Sequence, residues 1–291
     1  MVQDNTGHAP VSAGHLFEVV LDRLREAGIE EAHQETRWLL EDILVVPYAS
    51  IRSGSAPAPS HEQVNKVLEL TDKRISGMPL AYVLGSITFH SNRFKLVPGL
   101  MVPRPETEIL VETALNLLNK HAWSHPCILD CYTGPGNVLL SIMAARRDAY
   151  GIGIDINPVA IECATANSAA LGCTGARYIE GDVATIIPEL EQRFYLVTAN
   201  PPYVATGDIP TLQREITDHE DPISLDGGPD GLAQFKVLAD LAPRVIISGG
   251  YLLTEFGADQ RESVEKIFGG WTHLNFVADF NNVPRVLVAR P

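Results

Sequence analysis

The chain has 291 residues, of which 45% are hydrophobic and 20% charged, a composition that suits one or two folded domains and excludes a disordered chain. Its 36 acidic and 22 basic residues give a formal net charge of -14, which argues against a sequence-independent grip on nucleic acid. No apolar run reaches ~18 residues, so no membrane span is predicted.

The N-terminus and the cysteines indicate the compartment. Residues 1–10 are polar and lack the basic and apolar regions of a signal peptide. Cys127, Cys131, Cys163 and Cys173 form neither a CxxC pair nor a metal-ligand spacing, which favours reduced structural thiols and no metal site. We therefore expect a cytoplasmic protein, either a monomer or a weak dimer.

Residues 1–77 are predicted to form a helical bundle that recognises substrate. Apolar residues recur at helical spacing in 15–27 and again in 31–44. A loop rich in proline and serine at 53–60 precedes a third helix, which Ser60 can cap. Residues 78–105 are predicted to form a β-hairpin linker, with short strands at 82–85, 87–89 and 94–97 and a turn near Ser91 and Asn92.

Residues 106–291 are predicted to form an α/β domain. A helix follows Pro105, and short apolar strands then alternate with helices, which implies a Rossmann-like, doubly wound sheet of mainly parallel strands. The last two strands are separated by Asn281 and Asn282, a pair that suits a tight turn. The predicted strands are 127–130, 149–155, 178–180, 194–199, 245–255, 274–280 and 285–289.

The loop after the first of these strands has the character of a nucleoside-binding turn. Ligands of open α/β sheets bind at the carboxyl ends of strands, where glycines let the backbone approach and a helix N-terminus offers free N–H groups. The candidate cofactor-binding residues in this loop are Asp130, Tyr132, Thr133, Gly134 and Gly136.

Two acids end the next two predicted strands. Asp155, followed by Ile156, stands where a carboxylate accepts hydrogen bonds from ribose hydroxyls. Asp182, followed by Val183, is placed to meet an adenine edge, although an ordinary turn acid after Gly181 remains the alternative.

The segment Asn200-Pro201-Pro202-Tyr203 follows the fourth strand and faces the same crevice. Two prolines fix its backbone, and the planar amide of Asn200 offers one acceptor and two donors. The Asn200 amide and the carbonyl of Pro201 can together hold a planar nitrogen group against an electrophilic methyl. The ring of Tyr203 can stack on that planar group. The alternative interpretation is that this segment is a rigid turn with no catalytic role.

These residues resemble the HemK/PrmC family of protein-(glutamine) methyltransferases, which modify the Gly-Gly-Gln glutamine of peptide-chain release factors. The resemblance covers nearly the full chain, since 79–85 and 102–108 look like the family's linker segments and 225–232 like its downstream signature. Asn-Pro-Pro-Tyr alone is shared with adenine-N6 DNA methyltransferases, and a DNA substrate is disfavoured by the acidity of the chain.

The resemblance implies a class I S-adenosylmethionine-dependent methyltransferase sheet and roles for individual residues. Asn200 would contact the cofactor and, with Pro201 and Tyr203, would be catalytic. Asp155 would bind ribose, Asp182 adenine, and the loop from Asp130 to Gly136 the methionine end. The substrate side would be shaped by Arg104, Glu106, Pro202 and Tyr203.

Tyr132 departs from the family pattern, because the family's loop has its first glycine at this position. A tyrosine there could crowd the cofactor or replace a contact. A second hypothesis is therefore a repurposed enzyme that uses the same pocket to alkylate or cyclise a small-molecule nitrogen. A non-catalytic binding module is a third, disfavoured by the intact Asn200 motif.

Overall fold

The computed structural model describes residues 11–291, which divide into two compact units at the bond between Gly85 and Ser86. The finer division of the chain at residues 77 and 105 stays a prediction. No helix in the described part is both long enough and apolar enough to cross a bilayer.

The first unit is helical. Phe17, Val20, Leu40 and Val67 are fully buried at its centre, where the apolar faces of successive helices meet. Ser60 and Gln63 form a reciprocal capping box at the start of one helix, as the predicted cap at Ser60 requires. The helices are α1 (Ala13–Glu26), α2 (Ala32–Leu44), α3 (Tyr48–Ser53), α4 (His61–Ile75) and α5 (Leu80–Leu84).

The strand predicted at 82–85 is wrong, because these residues belong to α5. Tyr82 and Val83 favour strands by propensity, but Pro79 stands at the N-cap and Gly85 ends the helix with a φ of 67°. A helix of five residues is too short for its apolar periodicity to be recognised in sequence.

The second unit begins with a hairpin of β1 (Ser86–Phe89) and β2 (Asn92–Lys95). Its turn is His90-Ser91, one residue before the predicted position, and both residues have positive φ values, 44° and 64°. This geometry belongs to the two-residue turns whose twist matches that of the flanking strands.

The main sheet has the order β5-β4-β3-β6-β7-β9-β8. Strands β3 to β7 pair in parallel, whereas β9 runs antiparallel to both of its neighbours. The chain therefore reverses its direction of travel across the sheet between β3 and β6, which is the topological switch point where ligands bind. The strands are β3 (Cys127–Cys131), β4 (Tyr150–Asp155), β5 (Ala176–Glu180), β6 (Phe194–Ala199), β7 (Ile246–Glu255), β8 (His273–Ala278) and β9 (Pro284–Arg290).

Helices cover both faces of this sheet, which confirms the predicted doubly wound α/β fold. Adjacent residues of β3 point into separate apolar clusters, Leu129 with Phe235 and Phe268, and Ile128 with Leu110 and Leu139. The helices of this unit are α6 (Glu108–His121), α7 (Asn137–Ala145), α8 (Pro158–Leu171), α9 (Val183–Ile186), α10 (Arg214–Thr217), α11 (Ala233–Leu241) and α12 (Arg261–Ile267).

Candidate active site

A cavity of about 280 Å³ opens at the carboxyl ends of the parallel strands of the second unit. It brings together ten of the residues that the sequence singled out: Asp130, Tyr132, Thr133, Gly134, Asp155, Ile156, Asp182, Val183, Asn200 and Pro202. Five others do not line it: Arg104, Glu106, Gly136, Pro201 and Tyr203. Sequence reasoning missed several wall residues, among them Gly99, Leu100, Met101, Thr107, Asn137, Val138, Ile223, Ser224 and Gln234.

Asp130 braces the loop that follows β3. Its carboxylate, 1% exposed, accepts hydrogen bonds of 2.6 Å from the hydroxyls of Thr133 and Thr198. The backbone N–H of Thr133 in turn donates to the carbonyl of Ile154 at 2.9 Å, which ties the loop to β4. Burial raises the pKa of Asp130 to about 6. Asp130 therefore holds the shape of the loop from within the sheet edge.

The two loop glycines adopt conformations that side chains disfavour. Gly134 has a φ of 54°, and its N–H donates to Oδ2 of Asp155 at 2.8 Å. Gly136 has a φ of 81° at the N-cap of α7, and an added Cβ would lie 3.0 Å from Cδ1 of Leu140 and 3.1 Å from Cβ of Ala164. Gly136 thus lets α7 approach α8 closely without itself facing the cavity.

Tyr132 takes the backbone conformation of the glycine that it replaces in the family pattern, with a φ of 59°. Such a residue costs about 1–3 kcal/mol of strain, which surrounding contacts must offset. Its hydroxyl donates to Oε1 of Gln234 at 2.9 Å, and its ring packs against the core beneath the loop. Burial raises the pKa of this hydroxyl, so it stays protonated. These contacts hold Tyr132 in a left-handed conformation within the loop.

The two acids after β4 and β5 border the cavity at neighbouring points. Asp155 accepts hydrogen bonds from the backbone N–H groups of Gly134, at 2.8 Å, and Asn157, at 2.9 Å. Asp182 caps α9 by accepting from the N–H of Ala184 at 2.8 Å. A carboxylate has about four acceptor positions, so both retain capacity for ligand hydroxyl or N–H groups.

Apolar side chains accompany these acids. Ile156 is 47% exposed although it borders the cavity, whereas Val183 is 2% exposed and packs into the core. Ile156 therefore offers a surface on which a flat ring can lie, and Val183 supports the wall behind it.

Asn200 directly follows β6, and its side chain makes one hydrogen bond and leaves one acceptor unused. Its Nδ2 donates to the hydroxyl of Thr107 at 3.2 Å. Its Oδ1 is buried and, within residues 11–291, has no hydrogen-bond partner. A buried polar atom left unpaired costs about 1–3 kcal/mol. Asn200 lines the cavity, so its side chain combines a position at the cavity with an unused acceptor.

Tyr203 is held from behind rather than exposed to the cavity. Its carbonyl accepts from Nε2 of Gln260 at 2.8 Å, and its hydroxyl donates to Oε1 of Glu255 at 3.4 Å. A Cβ added to Gly231 would lie 2.5 Å from this carbonyl, and one added to Gly227 would lie 2.8 Å from Cα of Tyr203. The downstream segment of the family pattern therefore supports the backbone of the Asn200 motif.

Glu255 ends β7 and was missed by the sequence analysis. It is 2% exposed, and burial raises its pKa to about 7. Glu255 carries the same sequence signal as Asp130 and Asp155, which is an acid at the carboxyl end of a parallel strand.

Arg104 does not line the cavity but supports one of its walls. Arg104 forms an ion pair with Glu220, whose side chain is 1% exposed. The backbone of Glu220 bridges to Gly99, and the N–H of Asp221 donates to the carbonyl of Gly99 at 2.9 Å. Arg104 therefore secures one wall of the cavity through Glu220. No group of three or more potential metal ligands occurs among the described residues.

Comparison with known proteins relates both parts of the chain to one enzyme family. The PrmC N-terminal domain matches residues 16–85, and a methyltransferase domain matches residues 128–222. The chain is 35% identical to the release factor glutamine methyltransferase of Caulobacter vibrioides over 92% of each chain, and 32% identical to that of Agrobacterium fabrum over 98% of each.

Among solved structures, the protein-(glutamine-N5) methyltransferase (release factor-specific) of Alicyclobacillus acidocaldarius is 25% identical, with a TM-score of 0.43. The match covers 68% of this chain and 99% of that one.

Proposed function

Because the chain belongs to the release factor glutamine methyltransferase family, as its motifs predicted, we propose that it methylates the Gly-Gly-Gln glutamine amide of a release factor with S-adenosylmethionine. The observation that carries the proposal is that Asn200, whose Oδ1 is unpaired, lines a cavity at the sheet's switch point. A primary amide brings two N–H donors, of which Asn200 can accept one.

The cavity suits the proposed cofactor by its donor and acceptor pattern. Asp155 would accept from the ribose hydroxyls, Asp182 would meet the adenine edge, and Ile156 would lie against the ring. The open space at Gly134, where an added Cβ would meet nothing within 4 Å, leaves room for the methionine end beside the loop. When bound, S-adenosylmethionine supplies the methyl group, which the amide nitrogen takes as the carbon–sulfur bond breaks and one N–H proton leaves to water.

The residues of the chain contribute position rather than covalent chemistry. Oδ1 of Asn200 and the carbonyl of Pro201 would each accept one N–H of the glutamine amide, which turns the nitrogen lone pair toward the methyl group. Pro202, which lines the cavity, would pack against the amide plane, and Tyr203 would hold the motif from behind. Holding the reacting atoms in line is worth several kcal/mol, on the order of 7–11 kcal/mol in the best intramolecular systems.

The release factor would be recognised outside the cavity, and we assign that role to residues 1–77. Release factors act on ribosomes, so a cytoplasmic location goes with this substrate. A monomer or weak dimer is sufficient, because the residues of the proposed reaction come from one chain.

Tyr132 suggested the alternative of a repurposed enzyme acting on a small-molecule nitrogen. In the structure its backbone follows the left-handed path of a glycine and its hydroxyl is bonded to Gln234. We therefore favour methyl transfer over the alternative, because the tyrosine adopts a backbone conformation that is open to glycine.

The test is a methylation assay with a purified release factor and S-adenosylmethionine, read by mass spectrometry of the peptide that contains Gly-Gly-Gln. We expect one added methyl group on the glutamine side chain, lost in Asn200→Ala and retained in Asn275→Ala. Asn275 is the matched control because it is exposed on the edge strand β8. Absence of cofactor binding in calorimetry at millimolar concentration, or no methylation by the wild type, would overturn the proposal.

A further inference from the structure

A hydrogen-bonded pair of side chains, Tyr132 and Gln234, forms part of the cavity wall. Tyr132 follows β3, Gln234 is the second residue of α11, and both line the cavity. The hydroxyl of Tyr132 donates to Oε1 of Gln234 at 2.9 Å. Both residues are only half-buried, so the pair is open to a molecule in the cavity.

The Tyr132 hydroxyl decides which end of the Gln234 amide is free. Burial is the main cause that raises the pKa of this hydroxyl, so it keeps its proton and acts as a donor. Oε1 of Gln234 is its hydrogen-bond acceptor, and no other occurs among the described residues. An amide turned the other way would leave this proton without an acceptor, which is unfavourable. Nε2 of Gln234 is therefore the free end, and within residues 11–291 it makes no hydrogen bond.

The pair lies on the same face of the sheet as the acid that follows β5. One apolar cluster contains Val183, which follows Asp182, and Phe235, which follows Gln234. The ring of Tyr132 packs against this cluster. Asp182 and Gln234 both line the cavity, so they border it from the same side of the sheet.

Asp182 and Gln234 offer complementary groups to a nucleobase. Oδ1 of Asp182 caps α9, whereas Oδ2 accepts no hydrogen bond from the described part of the chain. Adenine has an exocyclic amino group that donates and ring nitrogens that accept. A carboxylate can only accept, whereas Nε2 of a glutamine can only donate. Asp182 can therefore take the amino group while Gln234 donates to a ring nitrogen.

The backbone of Tyr132 links the pair to ligand binding rather than to stability alone. Its φ of 59° is uncommon for a residue with a side chain. Such conformations cluster at ligand sites, where surrounding contacts maintain them. A glycine, which the family pattern has at this position, has no side chain with which to orient Gln234. The pair is thus tied to the departure of this chain from the pattern.

We propose that Gln234 is a specificity-determining residue that donates a hydrogen bond from Nε2 to a ring nitrogen of the cofactor's adenine, and that Tyr132 is the positioning residue that orients its amide. The proposal deepens the proposed function and rests on it for the identity of the cofactor. It does not depend on which substrate receives the methyl group.

The contact can be measured without turnover, by calorimetry with S-adenosylhomocysteine. Gln234→Met keeps the length of the side chain but has no donor, and it should weaken binding about three- to tenfold, the scale of one hydrogen bond. Tyr132→Phe should weaken binding less, because the donor remains but loses its orientation. The matched control is Gln213→Met, since Gln213 is exposed and does not line the cavity. Unchanged affinity in Gln234→Met would overturn the proposal, and unchanged affinity in Tyr132→Phe would remove the positioning role.

Gln234→Glu separates a direct contact from mere support of the loop. A glutamate can still accept the Tyr132 proton, but it has no donor for the base. S-Adenosylhomocysteine has no net charge, so the added carboxylate neither attracts nor repels it as a whole. We expect Gln234→Glu to lose at least as much affinity as Gln234→Met, and wild-type affinity in Gln234→Glu would show that Gln234 only braces Tyr132.

Analogues of the base identify the acceptor. The 1-deaza, 3-deaza and 7-deaza forms of S-adenosylhomocysteine each lack one ring nitrogen. For one of them, the loss of affinity seen with the wild type should vanish in Gln234→Met, because the variant has no hydrogen bond left to lose. Equal losses in the wild type and in Gln234→Met for all three analogues would contradict the contact.

These measurements separate the failure of this proposal from that of the proposed function. A chain that binds S-adenosylhomocysteine through Gln234 but methylates no release factor would refute the substrate and keep the contact. A chain that methylates the release factor and binds S-adenosylhomocysteine equally well in Gln234→Met would refute the contact alone.

Discussion

Glu255→Gln should make the protein more stable at alkaline pH. A carboxyl whose pKa is raised on folding contributes stability below its ordinary pKa of 4.5, and this contribution is lost as the pH rises toward about 7. The full difference corresponds to about 3 kcal/mol at about 1.4 kcal/mol per pKa unit. Between pH 5 and pH 8 the change amounts to about 2–3 kcal/mol, because part of it precedes pH 5.

The assay is urea denaturation of the wild type and Glu255→Gln at several pH values, with the difference in the free energy of unfolding plotted against pH. A constant offset from the lost hydrogen bonds of the carboxylate cancels in this comparison, as do the other titrating groups. We expect the difference to grow in favour of the glutamine variant by about 2–3 kcal/mol from pH 5 to pH 8. A flat difference would mean that Glu255 has the same pKa in the folded and unfolded chain.

Three further substitutions test the site and the first unit. Tyr132→Phe removes the hydroxyl that bonds Gln234 and should lower the free energy of unfolding by about 1 kcal/mol in urea titration, whereas an unchanged value would show that the bond contributes nothing. Gly136→Ala should lower the free energy of unfolding by about 1–3 kcal/mol. This loss should exceed that of Gly172→Ala, since both glycines have positive φ but only Gly136 has close neighbours. Equal losses in thermal melts would contradict the packing argument. Ser60→Ala breaks the capping box and should cost about 1 kcal/mol by the same melts, and no loss would show that the cap is dispensable.

The site residues that could be predicted from sequence are those at the carboxyl ends of strands. Asp130, Asp155 and Asn200 each follow an apolar strand, and parallel strands of one sheet bring their carboxyl ends to one edge. Glu255 also lies at the carboxyl end of a strand, so the same rule could have identified it. These positions need only the correct assignment of strands, which the alternation of short apolar runs with helices supplied.

Thr107 could not be predicted as a partner of Asn200, because 93 residues separate them in sequence. Their contact depends on how the turn before α6 packs against the ends of β6 and β7, and no local pattern encodes it. Gln234 is hidden for the same reason, since its contact with Tyr132 spans 102 residues.

The wrong strand at 82–85 has a different cause. Intrinsic propensity favoured a strand for Tyr82 and Val83. In a short element the residues at the two ends outweigh propensity, and here Pro79 and Gly85 bound a single short helix. The hairpin that follows was predicted because its turn requires only two residues able to adopt positive φ.

Three of the six buried side-chain atoms without a hydrogen bond in residues 11–291 are associated with the described site. Asn200 lines the cavity, whereas Glu220 and Glu255 are the partners of Arg104 and Tyr203. Each lowers stability in the free protein, because desolvation of a polar atom is not compensated. A substrate amide would satisfy Asn200 directly, whereas burial raises the pKa of Glu255 to about 7 and so disfavours its charged form.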